Sequence, residues 1–218
     1  MISLIIPQTS DNPDYTKALL DNIEELYPNR KDIEVIVETN DKVSLGINYN
    51  NAVKRATGNK IILLHNDMIL SPGFIETMDK HISKGKVTTY TRVEPPIFPD
   101  LMPGKLILDC GSTLEEFNKD RWNQFTLPES IINGGTQLFF GCMREDYIGI
   151  DGYTFYRFRE DDDLHLRYKI LGFQHIVSSA HVYHFVSKTV RKDNSYKQIE
   201  AESHRAFDKK WKDILYIN

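Results

Sequence analysis

The strongest constraint in this chain is an alternation that fills its first third. Continuous Ile/Val/Leu runs, "ISLIIP", "IEVIV" and "KIILL", are separated by stretches with helical spacing. A strand that is apolar at successive positions is buried on both faces, as in parallel sheets covered by helices on either side. In "DYTKALLDNIEELYP", Tyr15, Ala18, Leu19, Ile23 and Leu26 share one helical face, with Asp14 in the N-cap position. "SLGINYNNAVKRATG" reads as a second helix, from a Ser44 cap to Gly58 as the glycine that follows a helix end. "SPGFIETMDKHI" starts a third, with proline near its first turn. The pattern predicts a doubly wound, mostly parallel mixed sheet flanked by helices.

The pattern loosens after residue 86. "KVTTYTRV" and "KLILD" read as strands, and the proline-rich "EPPIFPDLMPG" (94–104) as a surface loop. "INGGTQLFFGCM" reads as one strand entered through a glycine pair. "EDDDLHLRYKILGF" (160–173) is predicted to be a helix that begins in acid and ends at Gly172, with Leu164, Tyr168 and Leu171 toward the core. "HIVSSAHVYHFVS" returns as a strand. From about Ser195 a charged amphipathic helix carries Tyr196, Ile199, Phe207, Trp211 and Ile214. No internal repeat or low-complexity linker divides the chain, so a single domain is expected over 1–218.

Bulk properties narrow the function. A formal charge of −4 lacks the basic excess of a dedicated duplex-binding protein, so no stable nucleic-acid binding is expected. Cys110 and Cys142 are too few and too far apart for a disulfide framework, and neither sits in a CxxC pair. They read as small buried residues in a reducing compartment. The opening "MISLIIPQTSDNP" reads as a first strand rather than a signal peptide. No run approaches the roughly 18–20 apolar residues of a membrane span. A soluble, cytoplasmic protein is the expectation.

In open α/β sheets ligands gather beyond the carboxyl ends of the strands. One such end is "LLHNDMIL" (63–70), where His65, Asn66 and Asp67 follow a buried run that makes an unpaired charge costly. Asp67 either caps the turn before Ser71–Pro72 or holds a cation. Further along, Glu160, Asp161, Asp162 and Asp163 open a helix. The helix dipole favours acids there, but four adjacent carboxylates repel one another. Such a cluster suits a metal, a base or a grip on a substrate hydroxyl. His181 and His184 lie about twenty residues on, in the returning strand. Asp67, the acids and a later histidine form an oxygen/oxygen/nitrogen set suited to Mn²⁺ or Mg²⁺ supplemented by diphosphate oxygens.

In this order the motifs resemble the family-2 inverting glycosyltransferases of the GT-A fold, over roughly residues 2–190. "SLIIPQTS" is similar to the family's opening strand and nucleotide loop, and "NNAVKRATG" to its N-x-G-x-x-x-A-x-G helix, with Ala52 replacing the first glycine. "LLHND" occupies the place of the DXD motif, with His65 standing for the first aspartate. "GIDGYTFYRFREDDDLHLRYKILGF" resembles the segment G-G-F-D…E-D-x-D-L-x-x-R…G-Y, and "HVYHFVSKT" the histidine strand that follows. The acidic nucleotide turn reads "VETNDK", which leaves Glu38, Asn40 and Asp41 as candidates for that aspartate's place.

The resemblance implies a nucleotide-sugar donor and an acceptor hydroxyl, on a glycan by preference. It divides the chain into a nucleotide-sugar half (1–92), an acceptor and catalytic half (93–190) and a helical tail (191–218). Asp67 and His184 would hold Mn²⁺ or Mg²⁺, and Asp161 would be the base. Glu160 and Asp163 would either position acceptor hydroxyls or brace the helix. Pro7, Thr9 and Glu38 are expected near a uracil or thymine base. Asn50, His65 and Asn66 complete the expected nucleotide-sugar contacts, His65 touching ribose or sugar. Two rival readings stand beside this one: a glycosyltransferase-like binding protein without turnover, and a metal-dependent phosphoesterase.

Overall fold

In the computed structural model, β1 (Ile2–Gln8) lies between β2 (Ile33–Thr39) and β3 (Lys60–Leu63), parallel to both. The structure describes residues 1–8, 13–40, 43–98, 102–135, 139–154, 158–186 and 196–215. Alternate residues of β1 and β3 serve opposite faces. Leu4, Ile6 and Ile62 pack on α1 (Pro13–Leu26) and α3 (Phe74–His81), through Leu19, Ile23, Phe74 and Met78. Ile5, Ile61 and Leu63 pack on α2 (Leu45–Arg55), through Tyr49, Ala52 and Val53. Full burial of each such aliphatic side chain is worth about 1.5–3 kcal/mol. A one-residue slip would exchange the two faces. The doubly wound expectation therefore holds.

Four further strands complete the main path: β4 (Met68–Leu70), β5 (Lys86–Glu94), β8 (Phe140–Met143) and β9 (Gln174–His184). The order is β2-β1-β3-β8-β5-β9-β4, with β6 (Lys105–Ile107) on β5 and β7 (Ile131–Asn133) on β9. Strands β8, β4 and β7 oppose the direction of the other six, so the sheet is mixed but mostly parallel. The single strand read over "INGGTQLFFGCM" is two strands, separated by Gly134, Gly135 and residues outside the described set.

Strand β9 carries a bulge. Tyr90 pairs with Ser178 but Thr91 pairs with His181, leaving Ser179 and Ala180 as extra residues. Before the bulge the outer edge of β9 takes β7, and after it β4. This lets "LLHNDMIL" leave the first half of the sheet at Leu63 and join the far strand at Met68.

The helical caps follow their sequence signals in part. Ser44 caps α2, its hydroxyl accepting from the Ile47 N–H at 3.3 Å. Gly58 is needed for a different reason from the one expected. It is not in the left-handed region; a Cβ there would come within 2.5 Å of Ser3 Oγ and 2.8 Å of Ser3 N. Gly172, at φ +79°, does end α6 (Glu160–Ile170) as read. Leu164 and Tyr168 are buried, but Leu171 lies beyond the helix and is 61% exposed, so it does not continue the core face. Two short helices went unread, α4 (Lys119–Gln124) and α5 (Arg144–Gly149). Phe207 and Trp211 of α7 (Tyr196–Leu215) are buried. Cys110 and Cys142 are buried and free. Among the described residues no helix is long and apolar enough to cross a membrane.

Candidate metal and nucleotide site

Asp67 stands where the chain crosses from β3 to β4, and backbone bonds fix it there. Its carbonyl accepts from the Phe185 N–H at 3.0 Å, and its neighbour Met68 pairs with His184 across the β4–β9 ladder. Tyr49 and Tyr90 donate to the Leu64 and Leu63 carbonyls at 2.9 and 2.8 Å, holding the preceding residues. Asn66, buried, donates to Thr16 Oγ1 at 3.3 Å.

This backbone brings three side chains together. Ligand atoms of His65, Asp67 and His184 all lie within 4.8 Å of one another. Asp67 Oδ1 is 3.4 Å from His184 Nε2 and 3.7 Å from His65 Nδ1. Among the described residues neither Asp67 Oδ1 nor His65 Nε2 has a hydrogen-bond partner, though both atoms are buried. Phe139 walls the site, its ring 4.3 Å from His65 and 5.3 Å from His184 between centroids.

The electrostatics favour a cation. Burial opposes the charged form of Asp67, yet His184 and then His65 hold its carboxyl below the usual range. Burial likewise opposes a charge on His184, but Asp67 and Glu94 outweigh it and push its pKa up to about 9. His65 goes the other way, burial lowering its pKa, so it presents a neutral imidazole. Without a metal the positive charge facing Asp67 is the His184 imidazolium. A divalent ion could take its place by displacing the Nε2 proton, since one carboxylate and two neutral imidazoles are a fitting donor set.

The acids of α6 divide sharply. Asp163 is fully buried and saturated: Arg167 Nε donates to it at 2.9 Å, Lys210 Nζ at 2.6 Å and Trp211 Nε1 at 2.9 Å. The last two bonds join α6 to α7. Glu160 is buried and accepts from the Gly46 N–H at 3.1 Å, tying α6 to the start of α2. Asp162 pairs with Arg159 at 3.0 Å. Asp161 is half-buried, and burial followed by the charge of Asp162 pushes its pKa up; the N–H groups of the helix start and Arg159 offset this only in part.

An aromatic pair connects the two regions. Tyr49 and Tyr153 lie 5.6 Å apart between ring centroids. Burial raises the pKa of Tyr49 most, and the charges of both Asp67 and Glu160 add to it. Tyr153 responds in the same way to Asp161 and Glu160.

The remaining expected residues are unevenly placed. Pro7 and Glu38 are paired in register at the ends of β1 and β2, and Glu38 forms an ion pair with Arg55. Thr9 and Asp41 lie outside the described residues. The Asn50 amide is bonded within the protein. Its Oδ1 accepts from Tyr147 Oη at 2.7 Å and the Tyr153 N–H at 2.9 Å, and its Nδ2 donates to the Tyr153 carbonyl at 2.8 Å. Its bonds anchor the chain around Tyr153. His181 is turned away from the site, between Trp122 and Phe125.

Residues 5–164 match the family model described as Glycosyl transferase family 2. The chain belongs to this family. Its fold is that of GT-A glycosyltransferases. TarS of S. aureus superimposes with a TM-score of 0.58 over 95% of this chain and 42% of its own length, at 13% identity. The chain thus spans about two fifths of TarS. The 1–349 portion of TarS aligns with all of this chain and 75% of that one, at TM-score 0.58 and 15% identity. GalNAc-T7, crystallised with UDP, GalNAc and Mn²⁺, gives a TM-score of 0.63 over 84% of this chain and 43% of its own, at 12% identity. No curated protein matches the chain.

In this member of family 2, sequence reasoning missed the burial of Glu94. It was assigned to the proline-rich loop, but β5 extends through it and buries it. The signal was available: an acid closing a β-rich run, as Asp67 follows β3.

Proposed function

We propose that the protein is a metal-dependent inverting glycosyltransferase, moving a sugar from a nucleoside diphosphate to an acceptor hydroxyl on a glycan. The observation that carries this reading is the cluster of half-buried His65 with buried Asp67 and His184, at the carboxyl end of β3 in a family-2 fold. These three residues would hold a divalent ion, whose charge would offset the negative charge that grows on the diphosphate. Two imidazoles beside one carboxylate suit Mn²⁺ better than Mg²⁺, which prefers oxygen. The Mn²⁺ and UDP present with GalNAc-T7 support the same choice, and a UDP- or dTDP-sugar is the favoured donor.

Asp161 is the proposed base. The acceptor oxygen bonds to the anomeric carbon as the bond to the diphosphate oxygen breaks, and the hydroxyl proton passes to Asp161. A carboxylate with a raised pKa is a better proton acceptor, provided it stays ionised near neutrality. Attack from the face opposite the leaving group inverts the anomeric configuration. Pro7 and Glu38, paired at the β1–β2 crevice, would border the base of the donor.

The test is calorimetry with UDP- and GDP-sugars, with and without Mn²⁺, on the protein and on Asp67→Ala. We expect Mn²⁺-dependent binding of a UDP-sugar, lost in the variant while the fold persists. Equal affinity with and without Mn²⁺, or in Asp67→Ala, would sink the metal assignment. Tighter binding of a GDP-sugar would overturn the donor preference, and binding without transfer to any acceptor would favour a carbohydrate-binding role.

A further inference from the structure

Behind the three converging ligands stands a carboxylate with no assigned role. Glu94 Oε1 lies 2.9 Å from His184 Nδ1, on the ring edge away from Asp67. The carboxylate is itself held from two sides: Lys105 Nζ is 3.2 Å from Oε2, and Arg92 Nε is 3.3 Å from Oε1. Lys105 is anchored in turn, donating to the Phe98 carbonyl at 2.6 Å. The backbone under Glu94 is fixed too, paired with Ile107 of β6 and accepting from the Leu108 N–H at 3.0 Å. Glu94 and Lys105 are both almost fully buried.

Taking the Glu94 carboxylate and the Lys105 ammonium out of water is costly, and an isolated buried pair gives little net stability. The cluster therefore calls for a reason other than stability. An imidazole has two nitrogens, and a bond to one decides which way the other points and leaves its lone pair free. We infer that Glu94 is a positioning residue, which holds His184 by Nδ1 so that Nε2 faces the Asp67 carboxylate and the metal. This rests on the metal reading above and extends it to a residue outside the ligand set. Lys105 and Arg92 fix the carboxylate, and β6 thereby connects the loop that follows β5 to the ligand geometry.

Two conservative variants separate orientation from charge. Glu94→Gln keeps an oxygen that can accept from Nδ1 and loses the charge. Glu94→Asp keeps the charge but withdraws the oxygen by one methylene. The readout is Mn²⁺ affinity in the presence of UDP, from the paramagnetic resonance signal of free Mn²⁺, with circular dichroism to verify the fold. Loss of an outer partner of this kind typically weakens metal binding about 10–100-fold. We expect that loss in Glu94→Asp and a clearly smaller one in Glu94→Gln. Glu94→Asp binding within about twofold of the unsubstituted protein, or Glu94→Gln binding more weakly than Glu94→Asp, overturns the positioning role. If the unsubstituted protein binds no Mn²⁺ with UDP, the metal reading fails and this inference falls with it.

Discussion

Replacing Asp163 by Asn should unfold the protein more easily without stopping its chemistry. Asn has the same size and keeps one oxygen, so the 2.9 Å bond from Trp211 Nε1 can survive. What is lost is the charge facing Arg167 and Lys210. Hydrogen bonds to charged groups contribute about 1.5–3 kcal/mol each. Both cations can recover some hydration, since Lys210 is 34% and Arg167 17% exposed. Arg167 also keeps its bonds to the Ile150 and Gly152 carbonyls. The lower end of the range therefore applies to both contacts, for a total of about 3 kcal/mol. For a domain of this size that corresponds to a fall in Tm of roughly 6–12 °C. Thermal unfolding followed by circular dichroism reads the global loss, and tryptophan fluorescence reports whether α7 releases Trp211 first. Below the transition, kcat should stay within a few-fold of normal. A Tm unchanged within about 2 °C would refute the reasoning that Asp163 latches α7 to α6, and a large loss of kcat in folded protein would return it to the active centre.

Asp161→Asn should do the reverse. We expect kcat to fall by about 10²–10⁴, with donor Kd unchanged by calorimetry; near-normal turnover rejects it as base. Because the pKa of Asp161 is raised and the base works ionised, the acid limb of the kcat profile should lie above the ordinary aspartate range, activity falling as pH drops through it. Asp162→Asn removes one cause of that rise and should move the limb to lower pH; an unmoved limb means another group titrates. Finally, His65→Asp restores two carboxylates to the "HND" position. It should shift metal preference toward Mg²⁺ in a comparison of Mg²⁺- and Mn²⁺-supported binding, and an unaltered ratio would place His65 outside the coordination sphere.

The first half of the fold was legible because every strand there is bounded by a helix with its own apolar face. Ile5 and Ile6 must face opposite ways, and α2 and α1 supply a partner for each. Legibility failed where strand partners are distant in sequence. Nothing local to "MIL" reveals that it pairs with Val182, Tyr183 and His184 rather than with the β3 it closely follows. The same non-local pairing brings His184 to Asp67, so both residues could be nominated from sequence but only the sheet joins them. For Asn50, a polar residue in a nucleotide-type helix says nothing about its bonds to Tyr147 and Tyr153, about a hundred positions away. Asp161 and Asp163 are chemically alike and two residues apart. Part of their difference comes from α7, whose Lys210 and Trp211 both donate to Asp163.

The two extra residues of β9, Ser179 and Ala180, give the site a sensitivity to parity. Side chains alternate along a strand, so removing either residue alone inverts every side chain downstream relative to those upstream. Tyr183, whose hydroxyl now donates to Gly111 under the α4 segment, would then turn to Asp67, and His184 would enter the aromatic cluster around Trp122 and Phe185. Removing both residues restores the phase, and costs the local bend, the core packing of Ala180 and the two bonds between Ser179 and Ser130. The shorter deletion is thus expected to be the more damaging, and circular dichroism of the two variants would check it.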